Sequence, residues 1–268
     1  MPSAKRERQR EGRLARVAAA QAEHQRRQRW RTIRNFGILV VVIVAVIFAI
    51  SLRSGGDDDN ATTTSTTTPA VTIPPQGASI TGDTPCPASD GSSARTTTFA
   101  KPPPMCIDPA KTYTARVVTS EGDMTIALDA TAAPTTVNNF VVLARYRFFD
   151  GVAFHRVIPD FVDQVGDAVG PTPGQGGPGY TIADELPTAP DPYPEGAVAM
   201  ANDGPPNTGG SQWFIVIGSG GSRLSPTYSR FGTITSGLDV AKAINAGGTP
   251  EGTPRKVVTI TALSISEA

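Results

Sequence analysis

The chain has 268 residues, 18% of them charged and 39% hydrophobic, and its formal net charge is zero. That suffices for one domain of about 150 residues with appendages. With two histidines in all, one of them in the N-terminal tail, a Ser-His-Asp triad or a three-ligand zinc site is poorly supplied.

The zero balance hides an asymmetry. Residues 1–34 hold eleven Lys and Arg against three acids, a charge of +8, which leaves −8 on the rest. Directly after this basic tail, Phe36 to Leu52 is a run of seventeen residues with only Ser51 polar and no charge, flanked by Arg34 and Arg53. At about 1.5 Å per residue it reaches across a hydrocarbon core at the short end of the usual range. A single transmembrane helix over residues 35–53 is therefore expected, with the basic tail in the cytoplasm and residues 53–268 on the extracytoplasmic side of the cytoplasmic membrane. Cleavage after Ala49-Ile50-Ser51 as a signal peptide and burial as a core helix are the competing readings. The long basic segment ahead of the run argues against the first, and the lack of a polar face against the second. Topology and anionic lipid explain the basic tail more simply than nucleic acid does, so no nucleic-acid partner is expected.

Residues 54–110 read as a disordered stalk. Thr62 to Pro75 is almost wholly Thr, Pro and small residues, which cannot bury a core. Cys86 and Cys106, the only cysteines, fall on the exported side. There an even pair reads as a disulfide, with two free thiols as the alternative.

From residue 111 the pattern changes. Tyr113 to Thr119 alternates, Ser120 to Asp123 turns and Met124 to Leu128 alternates again, which predicts a hairpin. Ala133 to Ala144 opens with Pro134 in its first turn and repeats Val137, Phe140, Val141 and Ala144 at helical spacing. Short β-rich pieces follow between Gly/Pro loops, of which Gly170 to Pro178 is the longest. Leu238 to Ile244 reads as a short helix ended by Gly247-Gly248, and Val257 to Leu263 as a closing strand.

Two runs carry the candidate site. In Phe154-His155-Arg156-Val157-Ile158-Pro159-Asp160-Phe161-Val162-Asp163-Gln164 and in Met200-Ala201-Asn202 with Gly210-Ser211-Gln212-Trp213-Phe214-Ile215, one or two polar side chains stand among bulky apolar ones. A small apolar pocket edged by a few hydrogen-bonding groups is the usual form of a binding site.

These strings, with Ala133-Pro134-(two)-Val137-Asn138-Asn139-Phe140, Gln164-Val165-Gly166-Asp167, Gly176-Gly177-Pro178-Gly179-Tyr180 and Phe231-Gly232, resemble the cyclophilin family of peptidyl-prolyl cis-trans isomerases. The resemblance covers residues 113–263 and implies a mainly β fold: an eight-stranded antiparallel barrel capped by two helices, here residues 111–268, with the substrate groove on its outer wall. It implies an isomerase acting on X–Pro bonds, without cofactor or metal, and the expected topology makes its substrates exported or envelope proteins. Arg156 matches the arginine that hydrogen-bonds the substrate proline. Phe161, Val162, Phe214 and Leu224 match the proline-ring pocket. Gln164 and Asn202 match the groups holding the substrate backbone, Gln212 the groove floor. Ala201 and Tyr228 complete the substrate-binding set, and Tyr228 stands where many relatives have His. His155 reads as a packed residue and not as a base.

Departures from the family pattern are Val162 for a usual Met, Asp203 beside Asn202, and Pro205-Pro206, which lengthens that loop. Arg223 stands where drug-sensitive relatives have Trp, so weak binding of cyclosporin-type macrocycles is expected. The alternative function is a module that binds proline segments, as scaffold or chaperone, with little turnover.

Overall fold

The computed structural model describes residues 70–268. The expected membrane helix lies outside them, and among the described residues no helix is long and apolar enough to cross a membrane.

The strands are β1 (Ala78–Ile80), β2 (Thr96–Phe99), β3 (Tyr113–Thr119), β4 (Gly122–Leu128), β5 (Arg156–Ile158), β6 (Val162–Val165), β7 (Ala197–Met200), β8 (Trp213–Val216), β9 (Arg230–Ser236) and β10 (Ile260–Glu267). The helices are α1 (Pro134–Arg145), the single turn α2 (Gly218–Gly221) and α3 (Leu238–Ala246). The fold is mainly β. Eight strands, in the order β10-β3-β4-β9-β7-β8-β6-β5, form one antiparallel sheet that curls into a half-barrel. Its rims meet through an isolated bridge, Ala153 opposite Thr259, with Phe154 N–H donating to Val258 O (2.9 Å) and Ile260 N–H to Val152 O (2.8 Å). The expected closing strand therefore starts later. Val258 and Thr259 face the other rim, pairing with β3 begins at Ile260, and its register becomes regular from Ala262, after an irregularity between the two.

Side-chain parity sorts the sheet into two faces. Val165, Val198, Met200, Trp213 and Ile215 point into the main core, where Phe140 of α1 meets Phe149, Trp213 and Phe231 at centroid distances of 5.3, 5.7 and 5.0 Å. Aromatic rings fill the inside of the half-barrel, so binding falls to its outer face. There Val162, Ala197, Ala199, Phe214 and Val216 form a second, smaller apolar cluster with Tyr193.

The hairpin β3–β4 forms as predicted, but with a tighter turn: Gly122 and Asp123, expected in the turn, already belong to β4, with Thr119 opposite Gly122. α1 also forms as expected, with Pro134 in its first turn, but it is buried on nearly every side from Thr136 to Arg145. Its first turn lacks a local side-chain cap. The Glu185 carboxylate takes that place, accepting from Thr135 N–H (2.9 Å), Thr136 N–H (2.8 Å) and Thr136 Oγ1 (2.7 Å). A carboxylate there satisfies orphan donors and the positive end of the helix dipole.

The polar side of α1 is covered by a segment expected to be stalk. Residues 76–110 are folded, which corrects the boundary at 110. β1 and β2 pair in parallel, Phe99 and Ile107 enter the main core, and Asn138 of α1 accepts from Cys106 N–H (2.7 Å) while donating to Pro104 O (2.9 Å). The cysteines form the Cys86–Cys106 disulfide. Few apolar residues suffice because the backbone groups of this segment find partners on the barrel: Thr96 N–H donates to Tyr146 O (2.9 Å), and Pro85 O accepts from Tyr146 OH (2.8 Å).

Candidate active site

The site is one row of side chains laid across the outer face of the sheet. Arg156 of β5 stands opposite Gln164 of β6, which stands opposite Phe214 of β8, which stands opposite Ala199 of β7. In the neighbouring row Ile158 faces Val162 and Val162 faces Val216. The polar pair Arg156 and Gln164 thus lies next to the apolar centre of the sheet.

A relay of amides fixes the direction of each polar group. Gln212 Nε2 donates to two backbone carbonyls, Gly174 O (3.0 Å) and Gly176 O (2.9 Å). Its Oε1 must then accept, and does so from Gln164 Nε2 at 2.9 Å. That leaves Gln164 Oε1 to accept from Arg156 Nη1 at 3.2 Å. Two carbonyls of one loop therefore orient the guanidinium three residues away in the relay. Gln164 takes one of its five N–H groups. The guanidinium carbon lies 5.8 Å from the centroid of the Phe161 ring, within cation–π range.

Phe161 is placed by the β5–β6 turn. Asp160 adopts φ 55°, and its carboxylate accepts from Ser219 N–H (2.9 Å) at the start of α2. α2 approaches so closely that a Cβ on Gly221 would come within 2.3 Å of Phe161 O. Phe161, Ala201, Leu224 and Tyr228 are half-buried and pack on the outer cluster of Val162 and Phe214. Phe214 and Tyr228 meet edge to face at 5.2 Å.

Tyr228 is held through Tyr193, whose hydroxyl donates to Tyr228 O (2.7 Å) and accepts from Tyr228 N–H (2.9 Å). Asn202 follows Ala201 and is held by two hydrogen bonds. Its Nδ2 donates to Thr227 O (2.9 Å) and its Oδ1 accepts from Gly204 N–H (3.1 Å). Arg223 is exposed, beside Leu224.

A cleft of about 310 Å³ adjoins the row, lined by Gln164, Gln212, Ala201, Asn202, Asp203 and the wall 174–181. Asp203 is its only charged lining residue. Asp167 ties the wall down: its carboxylate accepts from Val169 N–H (3.1 Å), Gly174 N–H (2.6 Å) and Gly176 N–H (3.0 Å).

His155 lies under the same wall. A Cβ on Gly174 would come within 3.0 Å of its ring, and both ring nitrogens are buried without a hydrogen-bond partner. Burial lowers its pKa, opposed by Asp167 and reinforced by Arg156. A neutral, packed imidazole fits that position. Among the described residues no group of three His, Cys, Asp or Glu side chains comes together to hold a metal.

The structure thus joins Arg156, Gln164 and Gln212 in one relay, gathers Phe161, Val162, Ala201, Phe214, Leu224 and Tyr228 in one outer cluster, and sets Asn202 in the cleft with Gln164 and Gln212. Tyr193, Asp167 and Glu185 were not assigned roles. Tyr193 sits among prolines with no periodicity to flag it. The other two act through loop backbone and helix N–H groups distant in sequence.

The family model for "Cyclophilin type peptidyl-prolyl cis-trans isomerase/CLD" matches residues 114–265. The chain is 43% identical over 175 residues to a probable peptidyl-prolyl cis-trans isomerase B of Mycobacterium tuberculosis, covering 58% of this chain and 55% of that one. It is 48% identical over 116 residues to peptidyl-prolyl cis-trans isomerase B of Bacillus subtilis, covering 43% and 78%. The chain therefore spans about half the length of its mycobacterial relative. Among solved structures, a cyclophilin type peptidyl-prolyl cis-trans isomerase of Cryptosporidium parvum aligns with a TM-score of 0.53 and 26% identity, over 58% of this chain and 98% of that one. The same protein in the presence of the dipeptide Ala-Pro aligns with a TM-score of 0.52 and 27% identity, over 57% and 98%. With its matched region spanning more than half its length, this chain belongs to the cyclophilin-type peptidyl-prolyl cis-trans isomerase family.

Proposed function

We propose that this chain is a peptidyl-prolyl cis-trans isomerase that binds proline-containing segments on the outer face and accelerates rotation of the X–Pro bond. One observation carries the reading: Arg156, oriented by the Gln212–Gln164 relay, stands at the border of the apolar patch of Phe161, Val162, Phe214, Leu224 and Tyr228. A relative's structure obtained with Ala-Pro supports the choice of ligand.

The chemistry asks for little more. Rotation breaks amide resonance against a barrier of about 18–20 kcal/mol, and the proline nitrogen becomes pyramidal and basic on the way. The apolar patch takes the proline ring and desolvates the amide. Arg156 donates to the twisted nitrogen, an interaction weaker in the planar ground state, and such a difference lowers the barrier. Gln164 and Asn202 hold the flanking backbone, with Gln212 at the groove floor, while Ala201 borders the patch. No nucleophile or proton relay enters, in keeping with the packed, neutral His155.

The setting is proposed with it. The apolar run 36–52 anchors the protein in the cytoplasmic membrane, the residues after it form a tether, and the barrel faces exported or envelope clients. The Cys86–Cys106 disulfide suits an oxidising compartment. The test is isomerisation of a proline peptide by the full-length protein and by Arg156→Ala. We expect the variant to fold and lose about one to three decades of kcat/KM; an unchanged kcat/KM removes Arg156 from the mechanism.

A further inference from the structure

Residues 76–110 form a strap that reaches the cleft. β2 ends at Phe99, 1% exposed, whose ring packs edge-on against Tyr146 at 5.4 Å and Tyr180 at 6.2 Å. Phe99 N–H donates to Pro178 O at 2.8 Å. Gly179, at φ +102°, passes so close that a Cβ there would come within 2.4 Å of Phe99 O. Pro178 and Tyr180 line the cleft. From Tyr180 the contact continues through α1: its hydroxyl donates to Asn139 Oδ1 (2.7 Å), and Asn139 Nδ2 donates to Gly210 O (2.7 Å), which lines the same cleft.

The wall 174–181 has no helix or strand of its own, so its shape comes from what grips it. Two grips divide it. Asp167 holds Gly174 and Gly176, whose carbonyls orient Gln212 and, through Gln164, Arg156. The strap holds the other half, Pro178 to Tyr180. The strap is itself fastened at Tyr146, at Asn138 and by the Cys86–Cys106 bridge, whose halves are twenty residues apart.

Resting on the isomerase reading, we propose that Phe99 is a positioning residue for substrate binding: through it the disulfide-closed strap sets the 178–181 half of the cleft wall, leaving the arginine relay to Asp167. A substrate long enough to enter the cleft feels the strap. One that occupies only the proline patch does not.

The experiment measures kcat and KM of the full-length protein on two peptides. One carries several residues on each side of the proline, the other a single blocked residue on each side. For Phe99→Ala we expect KM on the long peptide to rise about 5- to 20-fold with kcat within about two-fold, the split produced by losing binding made equally in the ground and transition states. Both constants should hold on the short peptide, and Phe99→Leu should recover most of the long-peptide KM. Cys86→Ser/Cys106→Ser, which keeps Phe99 but loosens the strap, should raise the same KM at least about three-fold. That variant decides the matter alone if Phe99→Ala does not fold. An unmoved long-peptide KM overturns the inference, as does a fall in kcat on both peptides that merely tracks the folded fraction. A wild-type protein without turnover on either peptide overturns the isomerase reading as well.

Discussion

Asp163 offers a quantitative test of how the sheet is packed. It lies on the core face of β6, in parity with Val165, and is fully buried. Its Oδ1 accepts from Asn245 Nδ2 of α3 at 2.7 Å, while Oδ2 has no partner. Burial pushes its pKa up from 3.8 to about 7, against the lowering pull of the Asn245 hydrogen bond. The folded carboxyl keeps its proton up to about pH 7, whereas the unfolded one releases it near 3.8. The folded state therefore binds more protons across that window, so stability is greatest below it, falls as pH rises through it and stays low above it. At about 1.36 kcal/mol per pKa unit the loss is about 4 kcal/mol. Asp163→Asn keeps an acceptor for Asn245 and cannot ionise. Its stability relative to wild type should improve by about 4 kcal/mol between pH 4 and pH 8. Urea denaturation of both proteins at several pH values measures this, and the subtraction cancels the other carboxylates. A difference that stays flat to within about 1 kcal/mol over that range would refute the buried, protonated Asp163.

Tyr193→Phe removes the hydroxyl shared by Tyr228 N–H and Tyr228 O, so denaturant melts should show a loss of about 1–3 kcal/mol. Cyclosporin should inhibit weakly, because Arg223 offers an exposed, flexible chain where a Trp would give a rigid face. Losing an aromatic anchor costs about 2 kcal/mol or more, roughly 30-fold in affinity. Low-nanomolar inhibition of the wild type refutes this, and Arg223→Trp should gain sensitivity. Protease treatment of intact cells should release the barrel, and no free thiol should titrate in the exported protein; release only after lysis would contradict the proposed topology.

What was legible in the chain was whatever a local period could carry. β3 and β4 alternate strictly, and α1 shows its apolar stripe at Val137, Phe140, Val141 and Ala144. Arg156, Gln164 and Phe214 were marked by their motifs, and the register then set them in one row. Less legible was everything paid for by distant partners. Glu185 caps a helix about fifty residues earlier in the chain. Residues 76–110 looked too polar to fold because their hydrogen-bond partners lie on α1 and the 178 loop. Val257 and Val258 read as strand, but their neighbourhood joins the rims of the sheet before β10 begins. Asp163 was readable in principle, since Val165 two residues on fixes its side, yet an acid in a β-run invites the opposite assignment.

The enclosure of α1 bears on how this protein is to be cut. The family match begins at residue 114, and an excision there looks natural on the family pattern alone. It would discard Phe99 and Ile107, both buried, and each full apolar burial lost forgoes about 1.5–3 kcal/mol. It would also leave the Asn138 amide and the Tyr146 hydroxyl facing an empty trough. The fragment would carry every residue proposed for chemistry and still be prone to aggregate. Fragments for expression, or barrels exchanged between relatives, should start near residue 70 and keep the collar with its disulfide.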